Sequence, residues 1–302
     1  MAITPTGNFW VSAANTGLST IWDKTGVELR PSVTIPSPAN ATSGGHPSGQ
    51  VFNGSSDFKL PNGNPARFIF AGLDGVITGW NGGDNAVVAL NNAKTGSVYT
   101  GIGIATNSAG ANFLYMANFG KKRIDVYDGN WQRVDMAFKD ADVPKSYAPF
   151  NIQNLTGKLY VMYAKASAES EEETGAGLGY VSIFNVDGTL DRHYISAGKL
   201  DAPWGVAAAP INFWTDEHGN PTPDVILVGN FGDGKINAFN KSGNYLGTLK
   251  SKGKPIEIGG LWGLSFPPAT ATAIDPGWLY FAAGPDEERD GLFGYLKNVR
   301  KE

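Results

Sequence analysis

Cysteine is absent from the 302 residues. That excludes disulfides, thiolate nucleophiles and cysteine-held metals, and it leaves the compartment open. Histidine is scarce: His46, His193 and His218 are the whole supply. A histidine-ligated zinc site has little material, and a serine nucleophile has few bases to draw on. No Gly-x-Ser-x-Gly motif occurs. Charged residues make up only 17%, the net charge is −4, and no Lys/Arg stripe is present. A mildly acidic chain of this kind argues against nucleic acid as the main partner. No apolar run reaches the roughly 18–20 residues that cross a bilayer. No basic segment followed by an apolar stretch opens the chain as a signal peptide would. Long 3.6-residue periodicity is missing too, so helices should be few.

What is present is glycine, 40 residues of it, together with 12% aromatics. Gly-rich turns between short apolar runs indicate an all-β protein. One unit recurs. A three-residue apolar run appears at Phe9-Trp10-Val11, Phe68-Ile69-Phe70, Leu114-Tyr115-Met116, Leu159-Tyr160-Val161, Ile226-Leu227-Val228 and Leu279-Tyr280-Phe281. After a turn, a second run ends on a large apolar residue: Trp22, Trp80, Tyr127, Phe184, Phe239 and Leu296. These ends are spaced by 58, 47, 57, 55 and 57 residues. Gly17, Gly75, Gly179, Gly234 and Gly291 sit five residues before five of the ends, and Lys122 takes that place in the third copy. A further strand with small residues at its start precedes each unit: Pro47-Ser48-Gly49, Gly101-Ile102-Gly103, Pro149-Phe150-Asn151, Pro203-Trp204-Gly205 and Leu261-Trp262-Gly263. Small residues suit strands that crowd around an axis. Six units of about four strands predict a six-bladed β-propeller, one domain over residues 1–302.

The first strand of each propeller blade lines the channel. One face should then gather His46, Asn118, Asn230 and Asp233, with Trp204 and Trp262 near the starts of inner strands. These residues, with Asn151, form the expected ligand site at the channel mouth. Two insertions, 165–179 with Glu169, Glu171, Glu172 and Glu173, and 212–224 with His218, read as surface loops. The acidic run lacks the Asp/Asn-Gly rhythm of a calcium loop.

Nucleophilic chemistry looks weak on this evidence. Ser48 lies two residues from His46, but that spacing does not make a base and nucleophile pair, and His193, at an outer strand, reads as surface. Residues 229–234 resemble a phosphate cradle only loosely, since no helix follows. An oxygen-ligated Ca²⁺ is the more serious option: Asn118, Asn151 and Asn230 could approach the axis from three blades. The competing reading is that Asn side chains cap turns. Asn151 stands where other blades have Gly.

The segments GHPSGQVFN (45–53), YAPFNIQNLTGKLYVMYAK (147–165), APWGVAAAP (202–210), LVGNFGDGKINAFN (227–240) and GLWGLSF (260–266) resemble a bacterial family of extracytoplasmic propellers of unassigned function, some with a C-terminal PEP-CTERM sorting signal. More distantly the blades are similar to NHL-repeat and gluconolactonase-like propellers. The resemblance implies six blades and an extracytoplasmic, periplasmic or secreted, location. It implies no settled activity. No sorting signal follows Arg300-Lys301-Glu302. Family members usually carry an Asn-Pro-Trp-Gly-like inner strand before the region matching Met1, so the first inner strand is expected to be truncated and the sixth blade to lack a strand. Two functions stay open: a non-catalytic binding or scaffold propeller that takes a small molecule or protein at the channel face, and a Ca²⁺-dependent, lactonase-like hydrolase.

Overall fold

The computed structural model describes residues 1–168, 171–216 and 218–298. Its second strands explain the fold. Phe9–Ala13, Phe68–Gly72, Asn112–Asn118, Lys158–Ala166, Ile226–Asn230 and Leu279–Ala283 are each the second strand of an antiparallel sheet. They read as unbroken apolar runs because both faces are buried. Alternation sends odd and even residues into different junctions. Phe68 and Phe70 pack toward blade one with Trp10 and Ile21, while Ile69 and Ala71 pack toward blade three with Leu114 and Met116. Tyr115 then faces blade four, Tyr160 and Met162 face blade five, and Leu227 faces blade six. Phe9 meets Tyr280 with ring centroids 4.4 Å apart, which joins blade one to blade six and closes the ring.

The six-bladed all-β propeller is therefore present, and the repeat sets its register. In every blade the first residue of the apolar run pairs with the predicted strand end: Phe9 with Trp22, Phe68 with Trp80, Leu114 with Tyr127, Leu159 with Phe184, Ile226 with Phe239 and Leu279 with Leu296. Blades one to five have four main strands each. Blade six has three among the described residues, Leu261–Ser265, Leu279–Ala283 and Leu292–Leu296. The inner strand of blade one is the two-residue Ala2–Ile3, paired to Phe9 and Trp10. The described helical structure amounts to two three-residue 3₁₀ turns, Ala14–Thr16 and Ala93–Thr95. No helix among the described residues is long and apolar enough to cross a membrane.

Part of the acidic insertion is ordered by blade four: Glu172–Glu173 pairs with Lys165 and Ala166, and Lys165 Nζ meets Glu173 Oε2 at 2.5 Å. Glu169 lies outside the described residues.

Candidate functional site

Each inner strand from blade two to blade six begins with a break in register. Pro47 pairs with Gly72 and Gly49 with Ala71, so Ser48 is an extra, bulged residue. Thr100, Phe150 and Trp204 are bulged in the same way, and Trp262 falls within the corresponding irregularity of blade six. A bulge re-aims a side chain. Equivalence across blades therefore runs through Ser48, Thr100, Phe150, Trp204 and Trp262. This shifts the alignment read from sequence in blade three, where the matching stretch is Tyr99-Thr100-Gly101 instead of Gly101-Ile102-Gly103. A bulge inserts a residue without changing the apolar pattern that the sequence reading follows.

The bulged side chains plug the channel. Trp204, 6% exposed, donates its indole N–H across to the Thr100 carbonyl at 3.0 Å. Trp262 stands edge-on to Trp204 at 5.7 Å and lies 5.6 Å from Phe150. Phe231 covers Trp262 at 4.2 Å, and the Trp262 N–H is taken by Glu288 at 2.6 Å. The Asn151 amide donates to the Trp204 carbonyl at 2.8 Å. A Cβ on Gly101 would come within 2.8 Å of the Asn151 backbone, so glycine is required for that approach.

Beyond the plug lies a cavity of about 420 Å³. Its walls are the downstream halves of the inner strands: Gly49 to Phe52, Ile102 to Ile104, Asn151, Gln153 and Asn154, and Gly263 to Phe266. It therefore lies toward the end of the molecule opposite His46, Asn118 and Asn230, with Trp204 as its floor. No charged side chain among the described residues lines it. Met1, next to Gly263, contributes a partly buried side chain to the wall. Gln50 accepts from Ser19 Oγ and donates to the Trp10 carbonyl, and Asn154 donates to the Ile104 carbonyl and accepts from the Gly157 N–H. Asn151 Oδ1 and the whole Gln153 amide have no protein partner among the described residues. Gln153 is the site residue that sequence reading missed. One signal was available, since strand alternation puts it on the same face as Asn151.

The other expected site residues serve their own blades. Asn118, fully buried, accepts from Val98 and Lys121 N–H and donates to Ser97 and Asp125. Asn230, its counterpart in blade five, donates to the Lys199 carbonyl and to Asp233 Oδ1, which in turn caps the Lys235 N–H. Asn230 Oδ1 is buried without a partner. His46 is exposed at the rim, its carbonyl bound by Leu73 N–H. Asn118 and Asn230 thus act at turns, and only Asn151 and Trp204 of the expected set reach the axial cavity.

A second cluster sits on the outside of blade four. His193 Nδ1 meets Asp140 Oδ2 at 2.7 Å and His193 Nε2 meets Ser196 Oγ at 2.7 Å. Asp140 belongs to the connection from blade three, and its side chain is 1% exposed. Burial pushes the Asp140 carboxyl up, but hydrogen bonds from Ser182 and His193 outweigh it and hold it below its ordinary value. Asp142 lies close enough that Asp140, Asp142 and His193 offer three ligand atoms within 4.8 Å of one another.

Fold and axial cavity together define a six-bladed β-propeller with a blind central pocket. No family model matches the chain. Uncharacterized protein R648 of Acanthamoeba polyphaga mimivirus is 36% identical over 301 residues, 95% of this chain and 71% of that protein. Uncharacterized protein L690 of the same virus is 36% identical over 305 residues, 95% and 76% of the two chains. The chain belongs to the family of these mimivirus proteins. These relatives are viral and lend no support to the bacterial, sorting-signal-bearing family that the motifs suggested. Among solved structures, a chain of the nidogen/laminin complex aligns with a TM-score of 0.56 at 12% identity, over 92% of this chain and 86% of that one. That likeness shows the fold alone. A gluconolactonase of Xanthomonas campestris aligns at a TM-score of 0.48 and 16% identity, over 77% and 73%, too low to carry an argument about activity.

Proposed function

We propose that this propeller is a binding module whose central cavity holds a small uncharged ligand without acting on it chemically. The carrying observation is the cavity lining. About 420 Å³ falls within the usual range of ligand pockets, roughly 300–1,000 Å³. A charged ligand would lose its hydration there with no opposite charge to replace it. A neutral one gains apolar contact with Ile102, Ile104 and Leu264, a donor and acceptor at Gln153, and an acceptor at Asn151 Oδ1. Hydroxyl or amide groups satisfy all three.

The test compares neutral hexoses with hexuronates of matched size, read by tryptophan fluorescence because Trp204 floors the pocket. Neutral compounds should bind and the acids should not. Gln153→Leu should weaken binding about tenfold, the equivalent of roughly 1.4 kcal/mol, without changing the melt. Binding untouched by Gln153→Leu, or no binding by any neutral compound, would refute the reading.

The second reading, a Ca²⁺-dependent hydrolase, rests on one specific feature, the unpartnered Asn230 Oδ1. It needs further oxygens, and the Asn118 oxygen already accepts two backbone N–H groups. Calorimetric titration should accordingly give no calcium uptake. Uptake abolished by Asn230→Leu or Asn151→Leu would revive that reading.

A further inference from the structure

We propose that Ser196 is an activated surface nucleophile, a second reactive site independent of the central cavity, taking acyl groups from exposed esters. The geometry starts from the backbone. Residues three apart on a regular strand point to opposite faces. In the outer strand Leu190–Ser196, Ile195 pairs with Val181 and His193 with Ser182, so Tyr194 is bulged. The extra residue resets the alternation and lets His193 and Ser196 meet.

Both ring nitrogens of His193 are engaged in the sense that general-base catalysis requires. Asp140, ionised, can only accept, so the shared proton lies on His193 Nδ1. That leaves Nε2 as the acceptor of the Ser196 hydroxyl proton, at 2.7 Å. Asp140 is itself fixed: Ser182 Oγ donates to Oδ2 at 2.7 Å and the Asp142 N–H to Oδ1 at 2.9 Å. Ser196 is solvent-exposed, as a nucleophile for a bulky substrate must be. Tyr180 pairs with Ser196 across the strand and stacks edge-on against Tyr147 at 4.6 Å, which supplies an aromatic wall beside it. Aryl esters are the substrate class this wall favours.

The step balances without any cofactor. The Ser196 hydroxyl proton passes to His193 Nε2 as Oγ bonds to the ester carbonyl carbon. The ester C–O bond then breaks, and the same proton leaves with the alcohol. Water repeats the sequence on the acyl-serine and releases the acid. With a fluorophosphonate probe, the Oγ–P bond forms, the P–F bond breaks and fluoride departs.

A merely structural relay, tying residues 135–146 to blade four, would hold the same hydrogen bonds and show no reactivity. The experiment treats the full chain with a fluorophosphonate probe, maps the label by peptide mass, and follows p-nitrophenyl acetate hydrolysis in parallel. One label per chain on Ser196 is expected. Ser196→Ala should remove it, and His193→Gln and Asp140→Asn should slow both reactions by about 100-fold, the low end for general-base assistance. Ser196→Ala changes an exposed side chain and should leave the thermal melt unchanged, so lost labelling there is not unfolding. Label elsewhere, no label, or labelling indifferent to His193→Gln overturns the proposal. So does Zn²⁺ binding that depends on His193 in a chain that takes no label, which would reassign the cluster to a metal.

Discussion

Trp204 does the work of three residues. Its ring floors the cavity, its indole N–H reaches the Thr100 carbonyl in blade three, and its own carbonyl is held by Asn151 of blade four. One residue, through its side chain and its own carbonyl, thus fastens three blades at the axis. Trp204→Phe keeps an aromatic floor but strands the buried Thr100 carbonyl. Leaving such a group unpaired costs about 1–3 kcal/mol. Urea unfolding of Trp204→Phe should show a loss of that size, and an unchanged midpoint would mean that water replaces the indole. Asn118 and Asn230 illustrate a different point. In the sequence alone each suits two roles, turn cap and metal ligand, because one amide serves both. Only the neighbours that the fold supplies, such as Val98 and Lys121 around Asn118, distinguish the roles.

Inner strands carry glycine because the axis is crowded. A Cβ on Gly205 would lie 2.6 Å from the Trp262 carbonyl, and one on Gly49 would lie 3.1 Å from the Ile102 nitrogen. The turns between second and third strands need glycine for another reason. Gly17, Gly75 and Gly234 have φ of 68°, 76° and 66°, in the left-handed region. Lys122 holds the same place in blade three at φ 52°. A side chain there costs about 1–2 kcal/mol, offset in part by the roughly 0.5–1 kcal/mol of freedom that glycine loses on folding. Lys122→Gly should therefore stabilise the chain by up to about 1 kcal/mol, read from the midpoint of chemical denaturation. A destabilised variant would show that the lysine side chain contributes contacts worth more than the strain.

The ring closes through side chains: Phe9 of blade one packs on Tyr280 and Phe293 of blade six at 4.4 and 4.8 Å. Backbone closure is another matter. Leu292–Leu296 pairs with Leu279–Ala283 on one side and with no described strand on the other. Leu292 and Tyr295 are 45% and 42% exposed there. Near its end opens a groove toward the outer strand of blade five, walled by Tyr245, Leu246 and Tyr295. Unpaired strand edges stay wet or acquire a partner. Phe9→Ala, which removes the side chain that packs blade one on blade six, should cost about 3–5 kcal/mol of stability, read from urea denaturation. A much smaller loss would show that the ring closes without that contact. Residues 299–302 lie outside those described.

The architecture was legible in the residue order because it rests on short-range periodicity. Strands buried on both faces must be continuously apolar, and their partners must end on large apolar residues. Six such pairs at a near-constant interval admit few arrangements. Phe68 with Trp80 and Ile226 with Phe239 pair as the repeat alone predicts. The sites were not legible in the same way. Trp204 faces the axis, and Ser196 meets His193, because of single-residue bulges that leave the apolar pattern untouched. Gln153 matters because its neighbours Gln50 and Asn154 are already bonded, and Asp140 because residues 135–146 fold back onto blade four. Those are facts of tertiary contact between residues 53 to 104 positions apart, and local pattern carries no record of them.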